Sequence, residues 1–182
     1  MVAAVAMVAA SAAAEPMRQF TVSLPENPKP WEKFAAEELT AFLSQAAAEG
    51  AVSVGGQDGV VFHVGDTPMA VSHSLQSATM PEEKWVIRSF GRDVVLNGGG
   101  TRGTIYSVMH FLEDVVGVRF WNDSEIDVPA PKAIALPALD ASGRPAFKYR
   151  DIYRGNATNA TALSAVRQIG RASCRERVLP TV

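Results

Sequence analysis

The alternation of apolar and polar side chains over Arg18–Leu24 predicts a half-buried strand. Pro25, Pro28 and Pro30 interrupt it, and Pro30 pre-sets the entry to a helix running from Trp31 to about Ala48. Trp31, Phe34, Ala35, Leu39, Phe42 and Leu43 recur at helical spacing and give that helix one apolar face, with Gly50 as its expected stop. Val60–Val64 reads as a buried strand and Gly65-Asp66 as a turn. Residues 67–82 are polar and irregular, with one short helical turn expected around Val71–Leu75. Lys84–Phe90 and Asp93–Leu96 form a predicted hairpin closed by Gly91-Arg92. Thr101–Val116 is the second predicted helix, with Ile105, Val108, Met109, Leu112, Val115 and Val116 on its apolar face and Gly117 at its end. Val118–Trp121 is another strand, and Ser124–Pro137 holds short extended pieces broken by Pro129, Pro131 and Pro137.

The resulting order, β-α-β-β-β-α-β, predicts an α+β two-layer sandwich: a mixed sheet with two helices on one face, joined by right-handed crossovers. About 125 residues between Met17 and Pro145 can bury a core of their own. The net charge of −2 and the lack of a basic cluster before the last dozen residues argue against nucleic acid as a partner.

Residues 1–14, MVAAVAMVAASAAA, carry no charge and end in an A-x-A-like site before Glu15-Pro16. They read as a secretory signal peptide, too short to span a bilayer, which takes about 20 apolar residues. Export to the periplasm or the exterior follows as an expectation. At the other end, Ile169–Val178 (IGRASCRERV) resembles a translated sequencing adapter, so residues 169–182 are expected to be an artefact that contributes nothing to the fold. That stretch contains the single cysteine, Cys174. One thiol permits no internal disulfide, and no Cys/His spacing offers a metal site.

Gly98-Gly99-Gly100-Thr101-Arg102-Gly103 matches G-x-G-x-x-G, follows a strand and opens a helix. In a dinucleotide-binding domain such glycines let a pyrophosphate approach the helix N-terminus. Here the motif comes late and its strand belongs to a hairpin. The favoured reading is a sharp turn that packs the helix close to the sheet, and no cofactor is expected.

The segment NGGGTRGTIYSVMHFLEDVVGVRFW, Asn97–Trp121, resembles the N-terminal domain of α-glucuronidases, the related domain preceding the barrel in β-hexosaminidases, and an uncharacterised bacterial glycosidase-like family. Three further stretches resemble the same domain in the same order: Ala35-Ala36-Glu37-Glu38-Leu39, Phe62-His63-Val64-Gly65-Asp66-Thr67, and Pro145-Ala146-Phe147-Lys148-Tyr149-Arg150-Asp151. The resemblance covers about residues 18–154. It implies an accessory α+β domain over 17–140 beside a (β/α)8 barrel that carries the chemistry, with 145–167 as the start of that barrel. The expected partners are the chain's own missing barrel and, through it, a glycan.

Glycoside hydrolysis usually takes two carboxyl groups about 5–10 Å apart across one bond. Glu37-Glu38 and Glu113-Asp114 are neighbours on helices, diverge by about 100°, and read as solvated surface. Glu125 and Asp127 share a face of an extended piece and read as a strand edge. His63, His73 and His110 are scattered, and no G-x-S-x-G elbow is present. No catalytic residue is therefore assigned. The resemblance implies substrate binding by Arg150, whose planar fork donates two hydrogen bonds at once, with Asp151 beside it where hexosaminidases commonly have glycine. An ion pair between Arg150 and Asp151 is the alternative. A stand-alone carbohydrate-binding module is a further alternative, with Trp31, Trp85, Phe120 and Trp121 as candidate platforms.

Overall fold

The computed structural model describes residues 16, 17, 19–47, 51–54, 59–121, 125–131 and 134–147. In chain order the strands are β1 (Pro16–Met17), β2 (Gln19–Ser23), β3 (Ala51–Val54), β4 (Val60–Val64), β5 (Trp85–Phe90), β6 (Asp93–Gly98), β7 (Arg119–Phe120), β8 (Ile126–Asp127), β9 (Ile134–Ala135) and β10 (Asp140–Gly143). The helices are α1 (Pro30–Ala46), α2 (Pro68–Ser72) and α3 (Gly103–Phe111); a 3-10 turn covers Ser77–Thr79 and a π turn Leu112–Val116.

Six strands form one mixed sheet in the order β10-β5-β6-β4-β2-β3. β2 pairs in parallel with both β3 and β4, and β4 with β6. β5 runs antiparallel to β6 and to β10. The architecture is α+β, as the pattern of elements predicts. Two short ribbons, β1–β9 and β7–β8, complete the described strands.

The side chains of each strand alternate between the two faces. Phe20, Val22, Phe62, Val64, Trp85, Ile87, Val94 and Leu96 meet α1 and α3 in one core. Ring pairs cross it edge to face: Phe20–Phe62 at 6.0 Å, Phe62–Phe111 at 5.0 Å and Phe42–Phe120 at 5.1 Å between centroids. The opposite face is covered at β5 and β6, where Val86 and Val95 pack with Ala70 and Leu75. The region expected to be irregular thus supplies a second, smaller apolar cluster. Its helix, α2, begins at Pro68, earlier than the turn expected around Val71–Leu75. The early start follows from its N-cap, Thr67, whose buried Oγ1 accepts from Ala70 N at 3.3 Å. Replacing such a cap costs about 1 kcal/mol in comparable helices. Thr67→Ala is expected to lower the unfolding free energy by that amount in a urea titration, with the slope unchanged.

α1 begins at Pro30 and buries Ala35, Leu39, Phe42, Leu43 and Ala46 along one stripe, while Trp31 and Phe34 stay half-buried. Glu38 is a correction to the sequence reading: it is buried, and Glu37 alone of that pair is exposed. Residues 48–50, including the expected stop Gly50, lie outside the described residues.

α3 also departs from expectation. Its spacing predicts an amphipathic helix, but every residue of Gly103–Phe111 is buried, because α3 packs on β5, β6 and α1 together. Its polar groups are accommodated inside. Thr104 Oγ1 donates to Asn97 Oδ1 at 3.0 Å and Ser107 Oγ to Thr104 O at 2.8 Å. His110 stacks on Trp85 at 4.0 Å between centroids, and its Nδ1 lies 3.3 Å from Asp114 Oδ2. Asp114 is therefore engaged and not merely solvated. Gly117, at φ 97°, ends the π turn in the left-handed conformation that glycine adopts without a Cβ clash.

β3 and β10 have no counterpart in the sequence reading. Both are edge strands. β10 is mostly exposed and reads DASG, a composition poor in strand formers, so backbone pairing with β5 defines it. Arg88 reinforces that pairing by donating to Asp140 Oδ1 from Nε (2.9 Å) and Nη2 (2.7 Å).

Candidate functional site

The glycine-rich turn joins β6 to α3. A Cβ on Gly98 would lie 2.3 Å from Gly103 C, one on Gly99 2.1 Å from Pro81 O, and one on Gly103 2.4 Å from Lys84 O. Backbone from residues 80–84, and from the turn itself, therefore closes against these glycines where a side chain would project. Three of the turn's amides are also engaged. Gly98 N donates to Asn97 Oδ1 at 2.8 Å, Gly99 N to Lys84 O at 2.8 Å and Gly103 N to Gly99 O at 3.2 Å. These contacts support the reading of Gly98–Gly103 as a turn that packs the helix close to the sheet.

Beside this turn, Glu82, Glu83, Arg144, Pro145 and Ala146 line a cleft of about 240 Å³. Glu83 adopts φ 62°, a left-handed conformation that is strained for a residue with a Cβ. Its N donates to Gly99 O at 3.1 Å, and Arg102 Nη1 donates to its Oε1 at 3.2 Å.

A polar network lies where β4 and β6 end. Asp66 Oδ1 accepts from Ser77 N at 2.6 Å and Asn97 Nδ2 at 2.9 Å. Its Oδ2 accepts from Ser77 Oγ and, at 3.2 Å, from Lys29 Nζ. Asp66 N donates to Glu32 Oε1 at 3.2 Å, and Lys29 N to Glu32 Oε2 at 2.8 Å. Burial pushes the Asp66 carboxyl up, but the bonds from Ser77, Asn97 and Lys29 outweigh it and hold the group below its ordinary value. In the sequence Asp66 reads as half of a turn and as part of one resembling stretch, and Glu32 and Asn97 carry no chemical assignment. The available signal is the polarity of Asp66 and Asn97 at positions flanked by buried residues.

The β7–β8 ribbon places Phe120 in the core and leaves Trp121 52% exposed. Trp85 is buried and Trp31 half-buried, with Lys29 Nζ 5.6 Å from the Trp31 ring centroid. Glu125 and Asp127 are exposed, as expected of a strand edge. His63 Nε2 lies 2.8 Å from Asp93 Oδ1, pairing β4 with β6. His73 stacks on Phe90 at 3.6 Å between centroids. Arg150 and Asp151 lie outside the described residues, as do residues 1–14 and 169–182 and most of 145–167. Among the described residues no helix is long and apolar enough to cross a membrane.

No family profile and no curated protein sequence matches the chain. Solved structures of glycoside hydrolases do resemble it. A GH115 4-O-methyl-α-glucuronidase with specificity for decorated arabinogalactans superposes with a TM-score of 0.56 at 16% identity, over 74% of this chain and 19% of that one. A mutant Streptomyces plicatus β-hexosaminidase in complex with its GlcNAc product gives 0.43 at 12% identity, over 70% and 23%. A GH138 enzyme targeting the pectin rhamnogalacturonan II gives 0.37 at 16% identity, over 53% and 13%. The chain thus spans less than a quarter of each of these proteins. The α-glucuronidase likeness shows a shared fold, and the other two superpose too loosely to add to it.

Proposed function

We propose that this chain is the non-catalytic accessory domain of an exported glycoside hydrolase of α-glucuronidase type, acting in carbohydrate degradation. The observation that carries the reading is the superposition of 74% of this chain on 19% of the GH115 enzyme. The four sequence stretches that resemble such domains, in the same order, support it. On this reading the catalytic barrel follows the domain, Arg150 binds substrate hydroxyls with Asp151 beside it, and residues 1–14 direct export.

The test is to recover the downstream reading frame and express the whole protein. A barrel with paired carboxylates and hydrolysis of aryl glycosides are expected, with no turnover by the 182-residue chain alone. A downstream frame without such a barrel, or turnover by this chain, would overturn the reading.

A further inference from the structure

The segment that enters β5 and the segment that leaves β10 run side by side. Gly143, the last residue of β10, pairs with Trp85, the first of β5. A Cβ on Gly143 would lie 2.6 Å from Trp85 Cζ2, so the missing side chain lets β10 end close against the ring. Beyond that pair lies the cleft of about 240 Å³, to which one segment contributes Glu82 and Glu83 and the other Arg144, Pro145 and Ala146.

The frame of this cleft is fixed. Glu83 N donates to Gly99 O and Lys84 N to Pro81 O, each at 3.1 Å. Glu83 holds a left-handed backbone at φ 62°, and such strain persists only where the surroundings over-determine it. Pro145 is buried, and its ring restricts the opposite side of the cleft. The Glu83 carboxylate accepts from Arg102 at 3.2 Å and is not counted here as a ligand group. Glu82 and Arg144 are both exposed. Among the described residues, neither of these two is committed to an ion pair.

We propose that this cleft binds a neutral, hydroxyl-rich ligand of the size of one sugar ring, through Glu82 and Arg144. The choice of a sugar among such ligands rests on the function proposed above. A hydroxyl both donates and accepts, which matches a carboxylate that only accepts set beside a guanidinium that only donates. The formal charges of Glu82 and Glu83 balance those of Arg102 and Arg144, so net charge favours neither an anion nor a cation. The volume of about 240 Å³ lies below the roughly 300–1,000 Å³ of pockets for larger ligands, which suits a single ring and not a chain.

The experiment is ligand-observed saturation-transfer NMR on the full 182-residue chain, with D-galactose, D-xylose, D-glucuronate and D-glucosamine as probes. Saturable transfer to galactose or xylose is expected, with roughly a fivefold or greater rise in Kd in Glu82→Gln and in Arg144→Gln. Arg92→Gln, at the exposed hairpin turn, should leave Kd unchanged. Circular dichroism of the three variants should match the parent, because all three residues are exposed. No saturable transfer to either neutral sugar, a Kd unchanged in both cleft variants, or tighter binding of glucuronate or glucosamine than of the neutral sugars would each overturn the proposal. None of these outcomes touches the downstream barrel, so the two readings fail separately.

Discussion

Asp66→Ala is expected to destabilise the domain by about 2–4 kcal/mol in denaturant unfolding. Hydrogen bonds to a charged group contribute about 1.5–3 kcal/mol each, and the terms within one network are not additive. Asp66 accepts from Lys29, Ser77 and Asn97, so its loss frees donors on three segments at once. Asn97 is fully buried and retains Leu75 O as an acceptor for Nδ2 at 2.7 Å, which limits the damage. A loss below about 0.5 kcal/mol, the range of ordinary surface substitutions, would mean that the network is not structural. The pH dependence has a definite sign. The folded-state pKa of Asp66 is lowered, so its contribution is present above the ordinary carboxylate value of about 3.9 and is lost as pH falls through the folded value. Asp66→Asn should flatten that acid-side decline, measured as unfolding free energy against pH.

Gly99→Ala is expected to cost about 3 kcal/mol or to prevent folding. Its Cβ would lie 2.1 Å from Pro81 O and 2.8 Å from Met80 O, both backbone atoms that no side-chain rotation can clear. Gly91→Ala is the comparison: nothing lies within 4 Å, but φ is +63°, so only the left-handed penalty of about 1–2 kcal/mol remains. Equal melting temperatures for the two variants would refute the packing account of the glycine-rich turn.

The contrast between these glycines marks what is legible in the sequence. The spacing of Leu39, Phe42 and Leu43, the alternation in β2, the apolar run of β4 and the Gly91-Arg92 hairpin place the main elements within a few residues, because local periodicity reflects which side faces the core. β10 is not legible, since DASG forms a strand only through the partner that β5 offers it. The burial of Glu38, Thr104 and His110 is not legible either, because it depends on several elements closing around one helix. The polar network at Asp66 is hidden for the same reason: hydrogen-bonded pairs within it lie up to 48 positions apart in the chain.

The sequence by itself determined the two helices, the central strands and the α+β class, all of which follow from short-range hydrophobic spacing. The tertiary structure decided what the polar and glycine positions do. It filled the space at Gly98–Gly103 with the backbone of residues 80–84, gathered Lys29, Asp66, Ser77 and Asn97 into one network, and left Trp121 outside while burying Trp85. The physical reason is that these outcomes rest on contacts between residues distant in the chain, which no local pattern records.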